Sequence, residues 1–365
     1  MGPSQLSSSP ISHTLTLPTM SQPIVHLGDI QPRAKVFTVW EKQRNRREVH
    51  WFVECFAEAL GVFFYVYAGV GSTVGWVIGN ILKEVGLSSL LQIGFGYMAG
   101  ILLALGVCAS TSGGHFNPCV SIAFVLFKGF PRMKALRYIV AQILGAYIAC
   151  LLVYSQYKLI IVECEAHLQA AGKLDALQFT PNGLAGIFAF YLLPGQSLAR
   201  TFLNEFVTDV FIGLAIWASL DPANVIVPPV MAPFLVALAY ASAIWGFATP
   251  GLVANSARDI GGRLMAVTIW GTEAAGGRYA AIAALTNIPA TIFAAFIYEF
   301  FLVDSDRVVP RASLEFGTVV ANHRRHRKEA PSTRDNFVDS DSKLESQADD
   351  KPTAFTYEVS GTAPR

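Results

Sequence analysis

Between Trp51 and Val303 the chain alternates long apolar runs with short polar breaks. A helix needs about 20 apolar residues to cross the hydrocarbon core of a bilayer. Six runs, 51–72, 90–110, 135–157, 201–220, 230–245 and 279–303, reach or approach that length. Two further pieces, 117–128 (NPCVSIAFVLFK) and 255–270 (NSARDIGGRLMAVTIW), suit helices but are too short to cross. Both start with Asn, a preferred N-cap, and Pro118 takes the first helical position, where its missing N–H costs nothing. Each follows a second long run and precedes a third, so the two pieces occupy equivalent places. The first run of each half also carries one glutamate, Glu58 and Glu205.

This pattern predicts an all-α membrane protein with six transmembrane helices and two reentrant half-helices. Three crossings per half is odd, so the halves insert with opposite orientation. The result is an inverted 3+3 repeat, 50–157 and 200–303, joined by a long loop over 158–200. In such repeats broken helices point their N-termini at a midplane site.

Composition sharpens the reading. Of 365 residues, 53% are hydrophobic and 15% charged, well below the ~25% charge of soluble domains. The charges crowd into the ends, so the net charge of +1 says little about partners. No nucleic-acid partner, cofactor or metal is expected. The cysteines (Cys55, Cys108, Cys119, Cys150, Cys164) are scattered, without a disulfide framework or zinc spacing, and Cys164 falls in the predicted loop. Residues 1–49 and 304–365 are polar and read as disordered tails. The first has no apolar signal-peptide core and no myristoylation pattern. Basic clusters at Lys42, Arg44, Arg46 and Arg47, at Lys128, Arg132, Lys134 and Arg137, and at Arg324, Arg325, Arg327 and Lys328 place both termini in the cytoplasm. The loop 158–200 is then extracellular, and its apolar stretch 183–193 is expected over the mouth of a pore. The plasma membrane is the expected host.

Two helix N-termini meeting at midplane concentrate positive potential and unsatisfied N–H groups, which repels cations and protons. Asn117 and Asn255 are expected to turn their amides into a lumen as donors to a neutral solute. Glu58 and Glu205 are expected to brace the half-helices by accepting backbone N–H groups; a proton relay is the other reading, disfavoured because no further acidic residue is seen to continue it. Arg258 should stand in the outer mouth as a donor and cation barrier. Asp259 could pair with it or cap the helix, Arg263 reads as a membrane-edge residue, and His115 as a lock on its loop.

These motifs, Ser112-Gly113-Gly114-His115-Phe116-Asn117-Pro118 and Asn255-Ser256-Ala257-Arg258-Asp259, together with the two glutamate spans, resemble the major intrinsic protein family, the aquaporins and aquaglyceroporins. The resemblance covers about 53–301. Two positions depart from the family motif: Cys119 and Ser256 replace its usual Ala and Pro, as in the X intrinsic protein branch of fungi and plants. The tails and long outer loop look fungal. By the resemblance, a selectivity filter is formed by Arg258, Leu252, a span-five residue at Ala243 or Ile244, and a span-two residue at Tyr97 or Phe95. The span-five position holds no His, and Asp259 and the Gly186-Ile187-Phe188-Ala189 stretch are similar to glycerol-conducting members. The implied protein is a passive homotetrameric channel, not an enzyme, passing water and neutral solutes such as glycerol, with urea or hydrogen peroxide as further candidates. A secondary transporter and a closed-pore sensor or structural protein are the alternatives.

Overall fold

A computed structural model describes residues 24–46 and 48–329; residues 1–23, 47 and 330–365 lie outside it, as do the side chains of Arg324, Arg327, Lys328 and Glu329. Its helices in chain order are α1 (Leu27–Ile30), α2 (Lys35–Arg44), α3 (His50–Leu82), α4 (Leu90–Ser112), α5 (Pro118–Phe127), α6 (Arg132–Ala170), α7 (Leu174–Leu177), α8 (Leu198–Leu220), α9 (Ala232–Phe247), α10 (Ser256–Trp270), α11 (Tyr279–Leu285), α12 (Asn287–Ile297) and α13 (Arg311–Glu329). Among the described residues five stretches are long and apolar enough to cross a membrane: α3, α4, α6, α8 and the run from Tyr279 to Leu302. The remaining span, α9, has 16 residues. It packs on α4 and α8, the place the inverted repeat assigns to a second span.

Packing follows the repeat. The first span α3 packs on α4 and α6, as α8 packs on α9 and α12. Each half-helix docks chiefly on the third span of the other half: α10 on α6, and α5 on α12. Close approach depends on missing side chains. A Cβ on Gly145 of α6 would lie 2.1 Å from the Ala59 carbonyl oxygen of α3. Small residues draw membrane helices together in this way, because lipid tails leave packing as the main driving force.

Several expectations need correction. The third span does not end near residue 157; α6 runs on to Ala170 because no Gly or Pro stops it before Gly172. Ile161, Cys164 and Leu168 continue one buried face of that extension, so Cys164 is a buried helix residue and not a loop residue. The sixth span is not one continuous α-helix. It breaks at Thr286, where Pro289 has no N–H to give Leu285, and it ends in a wider π turn over Tyr298–Leu302. The ends expected to lack structure contain helices. In α2 the sequence KVFTVWEKQR has neither Gly nor Pro, and Arg33 pairs with Glu41 at 2.6 Å. In α13 Arg311 pairs with Glu315 one turn on.

Candidate conduction site

The two half-helices are capped alike. Asn117 Oδ1 accepts the Cys119 N–H (3.2 Å), and Asn255 Oδ1 accepts those of Ala257 (2.8 Å) and Arg258 (3.2 Å). Both caps have extended backbone. The residue before each, Phe116 (φ 48°) and Ala254 (φ 58°), is left-handed without being glycine. That conformation is strained for such residues and persists where surrounding contacts hold it.

The contacts that hold it are reciprocal. Asn117 Nδ2 donates to the Ala254 carbonyl (3.0 Å), and Asn255 Nδ2 donates to the Phe116 carbonyl (2.8 Å). Each cap therefore grips the strained residue before the other cap, and the two helix N-termini meet tip to tip. Each amide uses one of its two hydrogens in this clasp, so neither is wholly free for a solute. The Asn117 amide also reaches the Tyr240 hydroxyl at 3.3 Å. Behind the clasp, Glu58 accepts the N–H groups of His115 (3.0 Å) and Phe116 (2.8 Å). Glu205 accepts those of Val253 (2.7 Å) and Ala254 (2.8 Å). The donors belong to the loops just ahead of the caps, not to the half-helices themselves. Buried N–H groups without such acceptors would cost about 1–3 kcal/mol each.

The two halves then diverge. Gln142 adds a third donor to Glu58 at 2.8 Å and also reaches Ser121, whose hydroxyl lies 3.0 Å from His115 Nδ1. The His115 ring packs among Phe124, Phe130 and Tyr138. Glu205 has instead a second acid one turn along α8, Asp209, which is 2% exposed and whose Oδ2 has no hydrogen-bond partner among the described residues. The expectation that no further acid accompanies the glutamates is thus wrong. The i, i+4 spacing of Glu205 and Asp209 is the sequence signal that places both on one face of the span.

Arg258 is 2% exposed and held from several sides. Its Nε donates to the Tyr97 hydroxyl (3.1 Å), and its terminal nitrogens donate to the carbonyls of Phe188 (2.5 Å) and Ile187 (3.3 Å). The Phe190 ring covers it at 4.1 Å. A guanidinium has five N–H donors, so two remain uncommitted. The loop between α7 and α8 comes this near because α10 has glycine at 262, where a Cβ would lie 2.0 Å from the Phe188 oxygen. Asp259 does not pair with Arg258. It forms a two-pronged bridge to Arg263 (2.5 and 3.1 Å), whose guanidinium also donates to the Phe190 carbonyl (2.9 Å). Arg263 is therefore a buried brace for the loop between α7 and α8 and not a membrane-edge residue.

Of the other candidate wall residues, Leu252, Ala243 and Tyr97 are buried and Ile244 is partly buried. Ala243 and Ile244 both lie one turn beyond Tyr240, on its side of α9. Phe95 is excluded: it is 50% exposed and packs edge-on against Trp245, away from Arg258. Ser256, standing where the family motif has Pro, donates its hydroxyl to the Ala284 carbonyl (2.6 Å) and lies 2.7 Å from Asn287 Oδ1. It thus reaches the break in the sixth span. Cys119 is buried, and Ala257 is fully enclosed.

The model of the major intrinsic protein family matches residues 45–298, more than half of the chain. The chain belongs to the major intrinsic protein family. Among curated family members, it is similar to Aquaporin-3 of Laccaria bicolor, 64% identical over 320 residues, which span 87% of this chain and 96% of the relative. It is 34% identical to Aquaglyceroporin-2 of Rhizophagus irregularis, with 69% of this chain and 77% of the relative covered. The glycerol uptake facilitator protein of Pseudomonas aeruginosa is 36% identical over 62% of this chain and 79% of its own length. The solved aquaglyceroporin from Plasmodium falciparum shares the fold, with a TM-score of 0.59 at 21% identity over 69% of this chain and 97% of its own.

Residues outside the motifs complete the site. Gln142, Ser121, Tyr65 and Tyr240 were not anticipated. Tyr65 lies seven positions after Glu58, two turns along the same face, and Tyr240 lies one turn before the expected span-five position. Helical spacing alone would have found both.

Proposed function

We propose that the chain is a passive channel for water and glycerol-sized neutral solutes. The observation that carries this reading is the reciprocal asparagine clasp, with the positive ends of two half-helices facing each other and Arg258 held on the outer side. Cations and protons meet a positive field there. A neutral hydroxyl solute meets hydrogen-bond donors: the two uncommitted Arg258 N–H groups and the second hydrogen of the Asn255 amide. Asn117, Pro118, Cys119, Asn255, Ser256 and Ala257 form the meeting point in this reading. Arg258, Leu252, Tyr97 and the Ala243–Ile244 turn form the filter. Glu58, Glu205 and His115 brace the loops, and Asp259 acts through Arg263. The names of the aquaglyceroporin and glycerol-facilitator relatives support glycerol as a solute. Urea and hydrogen peroxide belong to the same size class. The reading includes a homotetramer in the plasma membrane, and the placement of the basic clusters supports cytoplasmic termini.

A second reading, a proton-coupled transporter, is favoured by one observation, the Glu205–Asp209 pair of buried acids. Stopped-flow shrinkage of proteoliposomes separates the two. The channel passes water and glycerol with no ion or pH gradient, and Arg258→Ala broadens the range of solutes passed. Solute entry that requires a pH gradient would overturn the channel.

A further inference from the structure

Between Arg258 and the asparagine clasp, three tyrosines from three different spans converge. Tyr97 of α4 accepts the Arg258 Nε–H at 3.1 Å, so its own hydroxyl hydrogen is uncommitted. Tyr240 of α9 accepts from Asn117 Nδ2 at 3.3 Å and lies 3.5 Å from the Ala254 carbonyl. Tyr65 of α3 packs its ring on Tyr97 with centroids 5.8 Å apart, and its titratable neighbours are Tyr240, Tyr97, Arg258 and Cys150. Tyr65 is 4% exposed, yet its hydroxyl has no hydrogen-bond partner among the described residues.

Such a hydroxyl is out of place in a tightly packed bundle. An unpaired buried hydroxyl costs free energy that apolar packing does not return, and a phenylalanine ring would fill the same space without that cost. The surroundings are also shaped for these rings. A Cβ on Gly69 would lie 2.2 Å from the Tyr97 ring, and one on Gly100 would lie 2.6 Å from the Tyr65 Cα. Glycine at both positions lets α3 and α4 approach with both rings turned to the same side. The open valences are matched to one chemistry. Tyr65 can donate and accept, Tyr97 can donate, and Arg258 has two N–H groups left. A neutral solute with several hydroxyls satisfies donors and acceptors together while its carbon chain lies along the rings.

We propose that the hydroxyls of Tyr65, Tyr97 and Tyr240 form an inner binding station for a small polyol, between Arg258 and the asparagine clasp, in which the solute supplies the missing partner of Tyr65. The station rests on the channel reading and adds a specificity-determining residue to it. Removing the Tyr65 hydroxyl leaves a passing polyol one hydrogen bond short, whereas water loses little because its neighbours in single file replace the contact.

The test uses the full chain in proteoliposomes and reads the ratio of glycerol to water permeability, with flux normalised to folded protein. Tyr65→Phe is expected to lower that ratio roughly fivefold, the worth of about one buried hydrogen bond. Tyr240→Phe should lower it less, because the Tyr240 hydroxyl already has protein partners. Tyr67→Phe removes a hydroxyl from the same helix that bonds Gln156 at 2.9 Å, and it should leave the ratio unchanged. An unaltered ratio in Tyr65→Phe, an equal fall of both permeabilities, or an equal effect of Tyr67→Phe would each overturn the station. Those outcomes leave the channel intact, since the wild type still conducts. Wild-type vesicles that pass neither water nor glycerol would overturn the channel and the station together.

Discussion

The two bracing glutamates look equivalent, but replacing each by glutamine should have unequal consequences. Glu58 receives three donors: the N–H groups of His115 and Phe116 and the Gln142 amide. Glutamine offers one oxygen. Its best orientation keeps Phe116 and Gln142 on that oxygen and turns an NH2 against the His115 N–H. That strands one buried donor, at about 2 kcal/mol, and turns two charge-assisted bonds into neutral ones, at about 1 kcal/mol each. Glu58→Gln should therefore destabilise the fold by about 4 kcal/mol. Glu205 receives two donors, Val253 and Ala254, and has Asp209 beside it. Glutamine again strands one donor but weakens only one retained bond, and it removes a carboxylate from beside another acid. The expected loss is about 2 kcal/mol. Unfolding of detergent-solubilised protein, followed by helical ellipticity against increasing denaturing detergent, measures both. The order wild type, Glu205→Gln, Glu58→Gln in falling stability is expected. Equal losses, or a larger one for Glu205→Gln, would refute the assignment of donors and the influence of Asp209.

Ser256→Pro restores the family motif but removes the hydroxyl from the Ala284 carbonyl and the Asn287 amide; a loss of about 2 kcal/mol is expected, and unchanged or raised stability in the same unfolding assay would show that these contacts carry no weight. Gly262→Ala should push the Phe188 carbonyl off Arg258 and broaden solute selectivity in the same direction as Arg258→Ala. An unchanged permeability panel of water, glycerol and urea in folded protein would dismiss the tether. Asp259→Asn should leave Arg263 a buried, half-paired cation at a cost of about 3–5 kcal/mol, read as a fall in folded yield. Normal yield would contradict the two-pronged bridge.

Much of the site was legible because its signals are local. The two Asn caps, Pro118 and the apolar runs announce helix starts and lengths through short-range rules, and the equivalent placement of the two short pieces implied their meeting. Arg258 was legible because it opens a half-helix. What misled the reading were partners brought in by packing. Asp259 has Arg258 as its chain neighbour, yet one helical turn aims it at Arg263 instead. Phe95 and Tyr97 lie two residues apart on α4, a difference of more than half a turn, so one faces Arg258 and the other Trp245. Residue order near a motif could not separate them without knowing the rotation of the helix.

From the chain alone came the membrane, the number of crossings, the inverted repeat and the identity of the capping residues, because hydropathy and capping act over one or two helical turns. The tertiary structure decided which buried polar groups satisfy one another. In a low-dielectric bundle every N–H, carboxylate and guanidinium takes whichever partner the packed helices bring within about 3 Å. Those distances join residues as far apart as Asn117 and Ala254, and no local pattern encodes them.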